Sequence, residues 1–250
     1  KEEDKTTLRE MVKVLFHNDQ LLFTAIAMAL FNIGYFTTTS FGVYFFKYAY
    51  KDANMYSMFA VVLAVSQLSA LAIFPALSKK HTRKQLYTVS TILVIAGYIL
   101  FFFSPMNMIY IGIAGVLIFV GQAFIQLMML MFLADTIEYG QWKLGKRNES
   151  VTLSIQPLLN KLGGAVATGI VGYTLVISGI NQATPETVTD QGLLIMKLAM
   201  LVLPLISIVA GYFVYRSKYK LDSEMYKKIV SELEARGDVK EAEVAVDGAE

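Results

Sequence analysis

Lys161 is the residue of this sequence best suited to charge-based chemistry, because it lies within a long apolar stretch. A lysine at the centre of a membrane-spanning helix costs about 2.5–3.5 kcal/mol on insertion scales, so such a charge normally faces a polar cavity and finds a partner. If the helix enters the membrane near Val151, Lys161 lies about 15 Å along it, close to the bilayer midplane. The segment 150–172 is therefore the candidate functional segment.

Small and polar side chains recur around Lys161 at the helical repeat, so we do not expect this side of the helix to face lipid. Gln156 and Asn160 lie on an adjacent stripe of the same helix. Small residues four apart, such as Gly163 and Ala167, allow a second helix to approach closely. The stripe itself consists of Ser154, Lys161, Ala165, Thr168 and Gly172.

Pro157 stands one turn before Lys161 and predicts a break in this helix. Proline removes a backbone donor and disturbs the carbonyl of the preceding turn, here that of Leu153. Broken helices with freed carbonyls are common at transporter binding sites. A proline that the membrane helix simply tolerates is an equally good interpretation.

Two further spans carry polar side chains. Gln122 and Gln126 are one turn apart, and we expect them to line a cavity or to bond to a neighbouring helix, because two amides in lipid are costly. The first span is rich in hydroxyl and amide groups, which suggests a wet pathway for a hydroxylated solute, although each group alone is better explained as a packing hydrogen bond. These groups belong to Asn32, Tyr35, Thr37, Thr38, Thr39, Ser40 and Tyr44.

The segment 135–149 mixes acidic and basic residues and is predicted to be a cytoplasmic loop. Asp135 and Glu138 are one helical turn apart, and Trp142 and Arg147 follow them. These residues are candidates for a gate whose charges pair when the cytoplasmic side closes and separate when it opens. The alternative, which composition alone favours, is an ordinary solvated loop in which a pair contributes only about 0–1 kcal/mol.

Several kinds of chemistry are excluded or disfavoured by composition. The absence of cysteine excludes disulfides and cysteine-based metal sites. His17 and His81 have no metal-ligand spacing with carboxylates, and no Walker-type glycine-rich loop is present. We therefore expect no catalytic residue, no metal site and no cofactor apart from a coupling ion. A membrane hydrolase using Asp135 with Glu138 is a poor second hypothesis, and the small positive charge does not indicate a nucleic-acid partner.

The residues above are positioned by six predicted membrane helices, each with about 20 or more mostly apolar residues. Lys and Arg cluster in alternate connections, which places both termini in the cytoplasm of a multi-pass plasma-membrane protein. Only Lys47 and Lys51 lie on the opposite side. The predicted spans are 21–46, 55–77, 86–103, 108–134, 151–180 and 192–215.

The ends of the chain are polar. Residues 1–18 are predicted to be a cytoplasmic central-loop segment, 19–216 a six-helix bundle, and 217–250 an amphipathic helix followed by a disordered acidic tail. A solvated tail is favoured over a binding element. Because the chain starts at Lys1 with a charged stretch and no signal peptide, we expect it to be one half of a larger protein.

A long ordered run of residues resembles the melibiose-permease family, the glycoside–pentoside–hexuronide:cation symporters. The run is ADTIEYGQWKLGKRNES at 134–150, followed by LS at 153–154, PL at 157–158 and KLGGA at 161–165. Within that family it is most similar to the lactose permeases of lactic-acid streptococci. A weaker similarity covers the rest of the chain, including Asn18, Asp19 and Gln20.

The resemblance implies a major-facilitator fold of twelve helices, of which this chain is the C-terminal six-helix half. It implies uptake of a sugar with Na⁺ or H⁺, or exchange of one sugar for another. The family's intramembrane lysine matches Lys161 and lies near the sugar and near carboxylates of the N-terminal half. The family's loop acids and arginine match Asp135, Glu138 and Arg147, which implies a role in cytoplasmic gating.

Three departures from melibiose permeases affect the expected sugar pocket. Where melibiose permeases have a second loop acid, a tryptophan in the fourth span and a threonine before the lysine, this sequence has Gln141, Gln126 and Pro157. We therefore expect a galactoside or another disaccharide, with sugar hydroxyls bonded by Gln122, Gln126, Gln156 and Asn160. The partners are then the sugar, the lipid bilayer and the missing N-terminal half. The alternatives are a structural half that transports nothing and, less favoured, a pentoside, xyloside or hexuronide symporter.

Overall fold

The computed structural model of the protein describes residues 7–237, and every regular element in that range is a helix. The all-α class predicted from the sequence is confirmed. The acidic tail predicted to be disordered lies outside the described residues. The helices are α1 (Leu8–His17), α2 (Asp19–Tyr44, continued by a π-helix at Phe45–Ala49), α3 (Met55–Lys80), α4 (Arg83–Phe103), α5 (Met108–Leu144), α6 (Glu149–Ile177), α7 (Asp190–Lys197, continued by a π-helix at Leu198–Val202), α8 (Leu203–Lys218) and α9 (Ser223–Ala235).

Among residues 7–237, five helical stretches are long and apolar enough to cross a membrane. The remaining predicted span, 151–180, forms α6, which has 29 residues but is less apolar than the other five. Its polar stripe and Lys161 lower its hydropathy, and the same residues make it a functional candidate. With α6, which packs along α2, the described range holds six long helical stretches. The five apolar stretches are Asp19–Ala49, Met55–Lys80, Arg83–Phe103, Met108–Leu144 and Asp190–Lys218.

The prediction of a loop at 135–149 is wrong for most of its length. Helix α5 continues through it to Leu144 and is 37 residues long, or about 55 Å at about 1.5 Å per residue. The helix continues because Ile137 and Tyr139 are buried and keep one side of α5 packed. It ends at Gly145, whose φ of 71° lies in the left-handed region that favours glycine. The connection to α6 is thus only 145–148.

The predicted amphipathic helix near the C-terminus is present as α9. Its start is capped by the Asp222 side chain, which accepts a hydrogen bond from the Met225 N–H at 2.8 Å. Ile229 and Leu233 are fully buried, and they pack with Tyr139 of α5. Apolar side chains at helical spacing therefore dock α9 on the end of α5.

Helix α2 lies at the centre of the bundle and packs against α6, α8 and α5, while α3 and α4 pack on α5. A Cβ atom on Gly163 would lie 2.8 Å from the Asn32 Cβ, so α6 and α2 approach closely there. The opposite side of α6 is uncovered. Lys161, Ala165 and Thr168 are exposed on it. Three glycines on this side also have open space around them. A Cβ atom added to any of them would have no neighbouring atom within 4 Å, and they are Gly164, Gly169 and Gly172.

Candidate functional site

A polar cleft between α2, α5 and α6 contains three of the predicted site residues. Gln126, Gln156 and Asn160 line it together with Asn32, and the remaining wall is apolar. The Asn32 Nδ2 donates a hydrogen bond of 3.0 Å to the Asn160 Oδ1, which fixes the orientation of both amides. We call this cleft and the uncovered side of α6 the open face. The cleft has a volume of only about 10 Å³, about one water molecule, so it presents its amide donors and acceptors at a surface rather than in a closed pocket.

Gln122 does not belong to this cleft, although it is one turn from Gln126. Its side chain is 0% exposed, and its Nε2 donates a hydrogen bond of 3.2 Å to the hydroxyl of Tyr98 on α4. That hydroxyl is 2.5 Å from the Thr38 Oγ1, and Thr38 in turn donates to the carbonyl of Met200 at 2.9 Å. Gln122 therefore bonds to a neighbouring helix inside the bundle, which was one of the two alternatives, while Gln126 lines the cavity.

Lys161 is exposed on the open face, next to Asn160 in the chain. Within residues 7–237, its ammonium has no carboxylate at ion-pair distance. A cation on this surface of a membrane-spanning bundle is costly without a counter-charge. Lys161 is thus available to a carboxylate that comes from outside the described residues.

The predicted helix break at Pro157 is absent from this structure. Helix α6 runs without interruption from Glu149 to Ile177 and contains Pro157 in its interior. The proline is exposed on the surface of α6, so its ring displaces no neighbouring helix. Membrane helices tolerate proline when the freed backbone groups find other partners. The interpretation as a tolerated proline fits this helix.

The predicted gate residues divide between two ion pairs at one end of the bundle. We call this end, which contains Asp19, Arg83, Lys143 and Lys218, the basic end. Asp135 is 7% exposed and forms an ion pair with Arg83 at the start of α4. The Arg147 guanidinium pairs instead with Glu138, with Nη2 to Oε1 at 3.3 Å. In the sequence, Arg83 is only one of the clustered basic residues that predict topology, because its contact with Asp135 spans 52 residues.

Arg147 makes two further contacts within its own segment. Its Nη1 donates to the Gln141 Oε1 at 3.1 Å, and its Nε donates to the Glu149 Oε2 at 3.2 Å. Gln141, which departs from the acidic residue of melibiose permeases, therefore supplies a neutral acceptor to the same guanidinium. The connection 145–148 is thereby held against the last turns of α5.

Trp142 contacts the C-terminal helix rather than the other gate residues. Its indole N–H donates to the carboxylate of Glu232, and the Arg236 Nη1 donates to the Trp142 carbonyl at 3.2 Å. Burial raises the pKa of Tyr226 on the same helix, and the charges of Glu138 and Asp135 raise it further. Helix α9 thus belongs to the basic end. Its amphipathic pattern could have indicated that it packs on another helix.

Asn18, Asp19 and Gln20 join four segments at the basic end, a role that the sequence did not suggest. The Asn18 Nδ2 donates to the Thr136 carbonyl of α5 at 3.0 Å, and its Oδ1 accepts from the Leu21 N–H at 3.1 Å, which caps α2. A Cβ on Gly140 would lie 2.8 Å from the same Nδ2, so only glycine leaves room for this contact.

The other two residues of this group make equally specific contacts. The Asp19 carboxylate accepts hydrogen bonds from the Tyr139 hydroxyl at 2.6 Å and the Lys143 ammonium at 2.8 Å. The Gln20 amide donates to the Lys218 carbonyl at 3.2 Å and accepts from the Lys220 N–H at 2.7 Å. These bonds connect the start of α2 to the end of α5 and to the connection between α8 and α9.

Similarity to known proteins agrees with this architecture. The profile of the family described as MFS/sugar transport protein matches residues 1–223. The chain is 33% identical over 233 residues to a raffinose carrier protein of Pediococcus pentosaceus and 33% identical over 234 residues to a lactose permease of Lactobacillus delbrueckii subsp. bulgaricus. It is 30% identical over 231 residues to a lactose permease of Leuconostoc lactis.

These alignments cover 92–93% of this chain but only 36–37% of the relatives' length. The resemblance to the glycoside–pentoside–hexuronide:cation symporters is confirmed. The relatives are carriers and permeases, which confirms that the family consists of transporters rather than enzymes. The chain belongs to the MFS/sugar transport protein family.

Proposed function

We propose that this chain is the C-terminal six-helix half of a glycoside transporter that works by alternating access and is coupled to Na⁺ or H⁺, or exchanges one sugar for another. The observation that carries the proposal is the open face, where Gln126, Gln156 and Asn160 line one cleft and Lys161 follows Asn160 on the exposed surface of α6. Transporters of this architecture bind their substrate between two repeats near the bilayer midplane. The uncovered side of α6 is the surface that the other half covers.

Lys161 acts in coupling. Its ammonium pairs with carboxylates that the N-terminal half supplies, and it either competes with the coupling cation for them or sets their charge. The absence of a carboxylate partner within residues 7–237 supports this role. The amides of Gln126 and Gln156 bond sugar hydroxyls, because the described residues give neither side chain another hydrogen bond.

The substrate is a galactoside or another disaccharide. The names of the relatives, a raffinose carrier and two lactose permeases, support this class. The replacement of a tryptophan by Gln126 supports a pocket that differs from that of melibiose permeases.

The basic end is cytoplasmic and forms the inward gate of this half. Its excess of lysine and arginine supports this orientation. The Arg83–Asp135 and Arg147–Glu138 pairs stiffen the end of α5, and Trp142 contributes by holding α9. This chain has no cysteine, so once any cysteine of the N-terminal half is replaced, one cysteine introduced at Lys79 or at Asp52 reports orientation by labelling in intact cells. Labelling of Lys79→Cys only after the membrane is opened supports the orientation, and the reverse pattern contradicts it.

Counterflow tests the proposal directly. The full-length transporter is placed in vesicles loaded with unlabelled sugar, and entry of labelled galactosides, glucosides and xylosides is measured with and without Na⁺ and at several pH values. We expect saturable entry of at least one galactoside or other disaccharide. If no glycoside exchanges across vesicles that contain correctly inserted protein, the proposed function is wrong.

A further inference from the structure

A second cavity adjoins the cleft on the open face. It has a volume of about 230 Å³ and lies between α3 and α5, where Gln67 and Leu71 face Ala123 and Leu127. At about 30 Å³ for each water, it has room for roughly seven water molecules. Gln126 and Leu130 line both this cavity and the first cleft. Gln126 and Leu130 thus lie between the two spaces, which we together call the groove.

Gln67 lines the α3 end of the groove, and Tyr35 of α2 joins it there through contact with the Gln67 amide. The Gln67 Nε2 donates a hydrogen bond of 2.8 Å to the Tyr35 hydroxyl. The Tyr35 ring is stacked on Phe31, with centroids 6.2 Å apart and planes 25° apart. Phe31 itself lines the first cleft. The stacking and the hydrogen bond hold the phenol in one position before any ligand arrives.

The hydrogen bond between these residues leaves polar capacity unused. Among the described residues, the Gln67 Oε1 and the second Nε2 proton have no recorded partner, and the Tyr35 hydroxyl proton has none either. Gln67 is an isolated amide on a helix whose neighbouring side chains Val65, Leu68 and Leu71 are exposed and apolar. An amide in such a span normally faces a cavity or a partner helix, because lipid cannot bond it.

We infer that Gln67 and Tyr35 form a second glycosyl subsite, which binds the sugar unit beyond the one held by Gln126, Gln156 and Asn160. This inference rests on the proposed function. The pair offers an amide oxygen, an amide N–H and a phenol O–H to hydroxyl groups, and the apolar wall of Leu71 and Leu127 accepts the carbon face of a sugar ring. The subsite makes the transporter prefer glycosides of two or more units over single sugars.

The test compares a disaccharide with a single-unit glycoside in the full-length transporter. Uptake of lactose and of methyl β-galactoside is measured for the unchanged protein and for Gln67→Leu, Tyr35→Phe and the control Ser69→Ala. Ser69 is exposed on the same helix and does not line the groove. The loss of one hydrogen bond to the distal unit should raise the KM for lactose about fivefold. The KM for methyl β-galactoside should change less than twofold, and the control should change neither.

The outcomes separate this inference from the proposed function. If neither KM changes in Gln67→Leu or Tyr35→Phe, or if both KM values rise equally, the second subsite does not exist. If Gln67→Leu does not reach the membrane, Tyr35→Phe decides, because it keeps the ring and removes only the hydroxyl. If the unchanged protein transports neither sugar but transports single-unit sugars of another kind, the subsite is wrong and glycoside transport stands. If it transports no glycoside, the proposed function fails first.

Discussion

The open face and the basic end use polar residues in opposite ways. At the basic end, Asn18, Asp19 and Gln20 each bond to residues more than 100 positions away in the chain. On the open face, Lys161 has no ion-pair partner within residues 7–237, and the helix surface around it is uncovered. Satisfied groups specify a structure, whereas unsatisfied ones in an apolar setting indicate a surface that receives something else. Substitutions at the two regions should therefore affect different measurements.

The largest effect in this comparison is expected from the double substitution Gln126→Leu with Gln156→Leu. Each amide removed from a sugar hydroxyl costs about five- to tenfold, so transport efficiency should fall about 30-fold or more. Thermal stability in detergent should change by less than about 1 °C, since the described residues give neither amide a hydrogen bond to lose. The matched control is Gln122→Leu, which lies in the core and should leave transport within twofold. Equal loss of transport in both would erase the distinction between open face and core.

Substitutions at the basic end should lower the stability of the protein. Arg83→Gln leaves the buried Asp135 carboxylate without its partner. Removal of one member of a fully buried pair costs about 3–5 kcal/mol, and partial exposure of Arg83 reduces this to about 2 kcal/mol. The midpoint of thermal unfolding should fall by roughly 4–8 °C. The neighbouring Lys84→Gln is exposed and should shift it by less than about 1 °C. A melting temperature unchanged by Arg83→Gln would show that the pair does not stabilise this end.

A smaller loss is expected from Asn18→Ala. The substitution removes the cap of α2 and leaves the Thr136 carbonyl without its side-chain donor. Loss of a helix cap costs about 1 kcal/mol, and the buried bond adds a similar amount at most. Thermal unfolding measured beside Asn18→Asp separates the two contributions, because aspartate keeps the cap and loses the donor. If both variants unfold at the same temperature as the unchanged protein, the contacts of Asn18 do not stabilise the structure.

The smallest effect is expected from Trp142→Phe, which keeps an aromatic ring against α9 and removes the donor to Glu232. The bond lies near solvent, so global stability should fall by about 1 kcal/mol or less. Hydrogen exchange of the α9 amides should nevertheless become faster, because the helix opens locally more often. Glu224→Gln, on an exposed position of the same helix, is the control. Unchanged exchange in α9 would mean that its apolar contacts alone hold it in place.

The sequence predicted the helices well and the long-range contacts poorly. Long runs of mostly apolar residues located every long helix, and apolar residues at helical spacing, Leu221, Met225, Ile229 and Leu233, located α9. The end of α5 was missed because the charges at 135–149 outweighed its buried side, which α9 and the start of α2 cover. The contacts of Arg83 and Asn18 were missed for another reason. Their partners lie 52 and 118 residues away, and no local pattern encodes such pairs.

The candidate site was predicted in its residue types more than in its geometry. Gln126, Gln156 and Asn160 were expected in one pocket and do share one cleft. Gln122 was grouped with them because it is one turn from Gln126, but a helix side is wide enough for neighbours in a turn to face different helices. Gln67 was not singled out because a lone amide in an apolar span carries no pattern, and only the fold places it beside Tyr35.

The central claim, that the open face couples sugar binding to a cation, is tested most directly by Lys161→Val in the full-length transporter. Sugar accumulation driven by a Na⁺ or H⁺ gradient is measured beside Lys161→Arg and beside the exposed control Lys79→Val. Removal of one charge from a desolvated pair costs about 2 kcal/mol or more, so accumulation should fall about 30-fold in Lys161→Val while the protein still inserts and the control is unaffected. Accumulation equal to that of the unchanged protein in Lys161→Val would contradict the account.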